Sequence, residues 1–169
     1  MSPTKFHNSV HNAPTGYWSI ATASQHPATA VSGYKYSAAV ALLEGAAQAL
    51  EENIPVLVTV QEMAAPKPFR SVCGSTHALA VAMLLAPLGV YPSPVGELSL
   101  DVRPRGPLPR RSLRADQVEF DENYAAELLD LLSDIAGMIR GRIELALSAG
   151  TSLAIGFAPA EPIATTRDE

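Results

Sequence analysis

The chain has 169 residues, of which 47% are hydrophobic and 17% charged, so it can bury a substantial core and is too apolar for a disordered segment. Its net charge of −5 argues against nucleic acid as the main partner, because phosphate binding needs a cationic face. No run of about 18 apolar residues exists to span a membrane as a helix, since the best candidate, residues 79–90, is interrupted by Pro87 and Gly89.

The first residues lack the apolar stretch of a secretory signal, and the one cysteine, Cys73, cannot form an internal disulfide. Both features lead us to expect a cytoplasmic protein. Residues 7–25 mix small residues with His7, His11 and the adjacent aromatics Tyr17 and Trp18, and they predict a short helix around the Pro14-Thr15-Gly16 break. Residues 30–32 read as a brief buried strand. Gly33 then supplies a flexible corner into a helix over Ser37–Glu52. Glu44 and Gln48 are the only polar positions in that helix's interior, which predicts burial on nearly all sides by close backbone packing.

Residues 55–60, Pro-Val-Leu-Val-Thr-Val, form a continuous β-branched run of the kind covered on both sheet faces. A helix followed by such a strand indicates an α/β layered sheet. Residues 77–85 are ambiguous between strand and buried segment, because Ala, Leu and Met also favour helix. Residues 103–114 hold three prolines and five arginines, so they predict an exposed basic linker without helix or central strand. Asp121 is the expected N-cap of a helix over residues 123–139, whose apolar positions recur at three- and four-residue spacing. Residues 142–147 and 152–157 alternate around Ser148-Ala149-Gly150-Thr151, the signature of a hairpin with one solvated face. A single domain over residues 1–160 and a flexible tail over 161–169 are expected.

The chemistry-bearing residues are few. His7 and His11 would share a helix face, but no cysteine or acid nearby completes a metal site, and packing or capping is the preferred role. Neither metal nor cofactor is expected. Tyr17 and Trp18 read as core or interface anchors before a substrate platform. Cys73 and His77 invite a nucleophile-base reading. The cysteine precedes an apolar strand without standing on an elbow after one, so a buried, inert thiol is preferred.

Residues 6–20, Phe-His-Asn-Ser-Val-His-Asn-Ala-Pro-Thr-Gly-Tyr-Trp-Ser-Ile, followed by residues 27–50 and 55–62, resemble the N-terminal half of the ketosynthase family of the thiolase-like superfamily. More narrowly, residues 8–20 resemble the chain-length-factor type found with aryl polyene pigment clusters. The resemblance covers residues 4–86 well and the last helix and hairpin loosely. It implies a partial thiolase-like layered α/β fold with a C-terminal helix and β-hairpin, and a chain that starts after the fold's first strands. It also places a nucleophilic cysteine at the start of the Ala-rich helix, where the helix dipole and amides stabilise thiolate and oxyanion. Here Lys35 or Tyr36 stands at that position, depending on one residue of alignment. Neither forms a thioester.

The resemblance therefore implies a non-catalytic subunit supporting acyl-carrier-protein-dependent fatty acid, polyketide or aryl polyene elongation. It would pair with a ketosynthase or with itself, with His11, Asn12, Tyr17, Trp18, Lys35 and Tyr36 near the acyl tunnel or interface. Lys35 is then a solvated charge, a plug in the vacated pocket, or a cation for a carrier phosphate. Arg103, Arg105, Arg110, Arg111 and Arg114 are candidates for binding an acidic carrier protein. The alternative is an acyltransferase or hydrolase using Cys73 with His77 or His11.

Overall fold

A computed structural model describes residue 2, residues 10–107, residue 114 and residues 117–161. The chain forms two compact units, Met1–Ser32 and Gly33–Glu169. In the first, helix α1 covers Ala13–Thr22. Pro14 stands in its first turn, where a missing amide proton is harmless, and Ala23 closes it in the left-handed region at φ 52°. Ser19 and Thr22 donate their hydroxyls back to the carbonyls of Thr15 and Trp18. No α1 residue is buried. Tyr17 and Trp18 are 50% and 57% exposed, so they are not core residues. Residues 30–32, expected as a strand, join no ladder.

The second unit is built around helix α2, Ser37–Glu52. Its buried residues Ala38, Ala39, Leu42, Gly45 and Ala49 recur at three- and four-residue spacing and form one stripe. Leu50 is exposed on the other side, so the expected all-round burial is corrected to one face. Alanine misleads here, because it is favourable in any helix whether covered or not. Asn53, left-handed at φ 54°, donates its amide to the Ala49 carbonyl and ends the helix.

Strand β1, Val56–Glu62, pairs antiparallel with β2, Leu79–Leu85, in a register that sets Val60 opposite Val81. Val58, Val60 and Val81 are buried in the core shared with α2. Leu57 and Leu84, opposite each other on the outer face, remain 48% and 51% exposed. The expectation that this strand is covered on both faces is therefore corrected, because the core lies on one side of the pair only.

A second sheet has the order β3-β5-β4, with β3 at Gly96–Pro104, β4 at Gly141–Ala146 and β5 at Thr151–Pro159. The β4–β5 hairpin stands where expected. Its turn is held by Ser148, whose Oγ accepts the amides of Gly150 and Thr151. The expected solvated face is not found on β5, where Ser152, Leu153, Ala154 and Ile155 are buried in succession, as befits a central strand. Strand β3 takes in Arg103 and Pro104, so the basic linker begins at Arg105. Proline is tolerated there because it is the last residue of an edge strand.

Between the sheets, Tyr124–Leu128 forms a 3₁₀ turn leading into α4, Leu129–Gly137, after a four-residue turn α3, Arg70–Cys73, earlier in the chain. The helix expected over 123–139 is thus two pieces, capped by Asn123 and not by Asp121: the Asn123 side chain accepts the Ala125 amide at 2.9 Å. One core unites Leu42, Val60, Leu128, Leu131, Leu153 and Ile155. No helix of the described residues is long and apolar enough to cross a membrane.

Gly45 lets α2 approach β1. A Cβ added there would collide with Cγ2 of Val58, a β-branched side chain with little freedom to swing away. Gly45→Ala is expected to destabilise the protein by about 1–2 kcal/mol, overpacking exceeding the gain in helix propensity. Urea unfolding measures this, and an equal or raised stability would show the contact to be slack.

Candidate functional site

Helix α2 opens from an elbow. The Gly33 amide donates to Ser37 Oγ at 3.1 Å, the Ser37 hydroxyl donates to the Tyr34 carbonyl at 2.7 Å, and the Tyr36 amide reaches the Gly33 carbonyl at 3.0 Å. These bonds hold Tyr34 in the left-handed region at φ 55°, a conformation that costs a tyrosine on the order of 1–3 kcal/mol. The sequence assigns the corner to Gly33, but Gly33 has φ −119°. Its service is space: a Cβ there would stand 3.0 Å from Val40 Cγ2 and 3.2 Å from the Tyr36 carbonyl carbon.

Side-chain contacts offset the strain. The Tyr34 phenol donates to the Val72 carbonyl at 2.8 Å, and its ring meets that of Tyr124 edge-on, with centroids 5.5 Å apart. The Tyr124 phenol is pushed up to about 12, first by its hydrogen bond with Tyr34, then by burial and by negative charge on Tyr34, Cys73 and Glu62. Burial also raises the Glu62 carboxyl above its ordinary value. Beside this group lies a cleft of about 430 Å³ lined by residues 70–74, Glu122 and Tyr124. A larger, shallower hollow of about 650 Å³ runs along α4 past Arg114 and Asp134, away from the elbow. The smaller one matters more chemically, because Arg70, Cys73, Glu122 and the shifted Tyr124 converge on it.

Behind the cleft a buried polar hub ties three segments together. The Asn123 amide donates to Ser75 Oγ at 3.1 Å and to the carbonyls of His77 and Glu62 at 2.8 and 3.4 Å. Ser75, fully buried, donates to the His77 carbonyl at 3.0 Å. All of these groups are satisfied, as burial demands.

Among the residues singled out from sequence, Lys35 is exposed, its ammonium 5.4 Å from the centroid of the half-buried Tyr36 ring. That placement fits a solvated charge resting on an aromatic face. Cys73 is half-buried and lines the cleft, so the expected burial is incomplete. His77 keeps Nδ1 on the Glu119 carbonyl and the Thr76 hydroxyl, both at 3.0 Å, and no hydrogen bond joins it to Cys73. His11 and Asn12 are exposed in the turn before α1.

Arg103 is paired with Asp101, Nη2 to Oδ2 at 2.5 Å, and Arg105 donates to the Ser148 carbonyl. Arg114 is exposed. His7, Arg110 and Arg111 lie outside the described residues. Among the described residues no three His, Cys, Asp or Glu side chains gather in a metal-binding group. Tyr34, Tyr124 and Asn123 are the residues that sequence reasoning passes over. Only the Gly33-Tyr34 pair at the mouth of a small-residue helix could have signalled one of them.

The family model described as beta-ketoacyl synthase, N-terminal domain, matches residues 1–135. No curated protein and no solved structure matches the chain. The match ends within α4, so β4 and β5, which bring Leu145, Leu153, Ile155 and Phe157 to the core, lie beyond it.

Replacing Asn123 by Ala removes the donor that the buried Ser75 Oγ and the carbonyls of His77 and Glu62 accept, and loses the Ala125 cap; a loss of about 2–4 kcal/mol is expected, readable as a lowered denaturation midpoint. A raised phenol pKa means the neutral form is favoured by folding, so its contribution is complete below pH 10 and lost as pH rises towards about 12. Stability should fall across that window. In Tyr34→Phe the phenolate absorbance of Tyr124 should appear at lower pH; an unmoved titration would show that the pair does not interact.

Proposed function

Since the chain belongs to the beta-ketoacyl synthase N-terminal domain family, we propose that it serves acyl-chain elongation as a non-catalytic, chain-length-factor-like subunit. The observation that carries this reading is the elbow itself. The Ala-rich helix and its strained entrance are built, yet Tyr34, Lys35 and Tyr36 occupy the entrance, and the one cysteine of the chain belongs to α3. A phenol and an ammonium do not form the thioester through which a condensing enzyme holds its acyl group. What remains is a scaffold whose chemistry would have to come from another subunit.

In this reading the protein is cytoplasmic and pairs with an active ketosynthase or with a second copy of itself. Lys35 and Tyr36 border the vacated nucleophile position, and His11, Asn12, Tyr17 and Trp18 contribute to the interface or to the wall of the acyl tunnel. The partial exposure of Tyr17 and Trp18 supports an interface role, because large aromatics at a surface are common anchors for a partner. Arg103, Arg105, Arg110, Arg111 and Arg114 are the candidates for attracting an acidic carrier protein, and the pairing of Arg103 with Asp101 lessens the share of that residue. Fatty acid, polyketide and aryl polyene chains are the product classes this reading admits.

A second reading, acyl transfer or hydrolysis at Cys73, is favoured by the place of that thiol in the cleft beside Tyr124. It receives no support from His77, whose Nδ1 is engaged elsewhere.

Co-expression with a ketosynthase encoded beside it, followed by size-exclusion chromatography and a condensation assay, separates the two. We expect a stable complex, no condensation by the chain alone, and unchanged complex activity in Cys73→Ser. Condensation by the isolated chain, or the lack of any complex, would sink the first reading; lost activity in Cys73→Ser would favour the second.

A further inference from the structure

Among the described residues, four that are not glycine have positive φ. Ala23, Asn53 and Met138 each close a helix C-terminus through a backbone bond, a task for which left-handed geometry is the usual solution. Tyr34 stands instead at the approach to a helix start, where capping does not call for that geometry. What it achieves is tertiary. The phenol donates to Val72, 38 residues away, while the ring edge lies on Tyr124. Val72 and Tyr124 both line the cleft of about 430 Å³, one from α3 and the other from the 3₁₀ turn before α4. One side chain thus ties together two walls of the cleft.

The α3 wall needs such a tie. No residue of Arg70–Cys73 is buried. The turn is otherwise held by the Arg70 side chain on the Ala65 carbonyl, and by backbone bonds from Gly74 to Arg70, from Ser75 to Cys73 and from Ala65 to Ser75. A segment with no buried residue of its own, held by a few hydrogen bonds, opens at low free-energy cost.

We propose that Tyr34 is a latch, which holds the α3 turn against Tyr124 and restrains the cleft that Cys73 lines from opening further. The latch rests on this geometry and not on the reading of the α2 entrance as the family's nucleophile position.

Cys73 lines the cleft and is the chain's one cysteine, so its reaction with a chromogenic aryl disulfide reports opening with neither partner nor substrate present. Tyr34→Phe keeps the ring and removes the hydroxyl. Its labelling rate should rise about two- to tenfold, the factor matching one net hydrogen bond, while Tyr36→Phe labels like the parent. Tyr34→Gly, which takes the left-handed backbone without strain, should remain folded and label at least as fast as Tyr34→Phe. An unchanged rate in Tyr34→Phe, or an equal rise in Tyr36→Phe, overturns the proposal. Failure of this assay leaves association with a ketosynthase untouched, and failure to associate leaves the latch untouched.

Discussion

Helix α2 lies on strand β1 at the distance a glycine permits. Gly45 faces Val58 with no room for a Cβ, and the neighbouring buried positions are Ala38, Ala39, Leu42 and Ala49. Small residues bring helix and sheet close enough for dispersion forces to act between backbones as well as side chains. That approach fixes where the helix begins, and hence where the elbow points. The 3₁₀ turn at Tyr124–Leu128 fits against the same helix, contributing Ala125 and Leu128 to its core. A helix standing farther out would carry Tyr34 away from Tyr124.

Around this packing the polar groups divide into two kinds. Asn123, Ser75 and the carbonyls of Glu62 and His77 are interior groups whose bonds specify one arrangement of three chain segments. The Tyr34–Tyr124–Val72 group is peripheral and strained, with Tyr34 itself 54% exposed. Interior networks of the first kind set the frame. Strained surface contacts of the second kind are the ones a protein can open and close, because their net free energy is small.

The ketosynthase N-terminal family match runs over residues 1–135, from α1 into α4. It does not account for the whole core. Four large core residues come from the β4–β5 hairpin beyond residue 135, so the second unit is completed by a part of the chain the family pattern does not describe. Function built on this fold has to be argued from the elbow and cleft, because the fold alone supports both catalytic and non-catalytic members.

The lack of cysteine at residues 33–38, the bounds of α2, the existence of β1 and the terminal hairpin were legible in the sequence, because each rests on local pattern: residue identity, helical spacing, a β-branched run, a turn flanked by alternation. Which face of β1 is covered, and that β5 is a central strand, depend on what packs nearby, and no window of sequence contains that. The edge strand β3 escaped notice because it ends in Arg103 and Pro104, which read locally as linker. The elbow shows the division most clearly. Gly33 announced a corner, but the left-handed backbone fell on Tyr34, because contacts with Val72 and Tyr124, distant in the chain, offset the strain. The sequence by itself determined that no thioester-forming residue stands at the helix entrance; only the tertiary structure decided that a tyrosine there would bind one wall of the cleft to another, since that bond joins residues 38 apart.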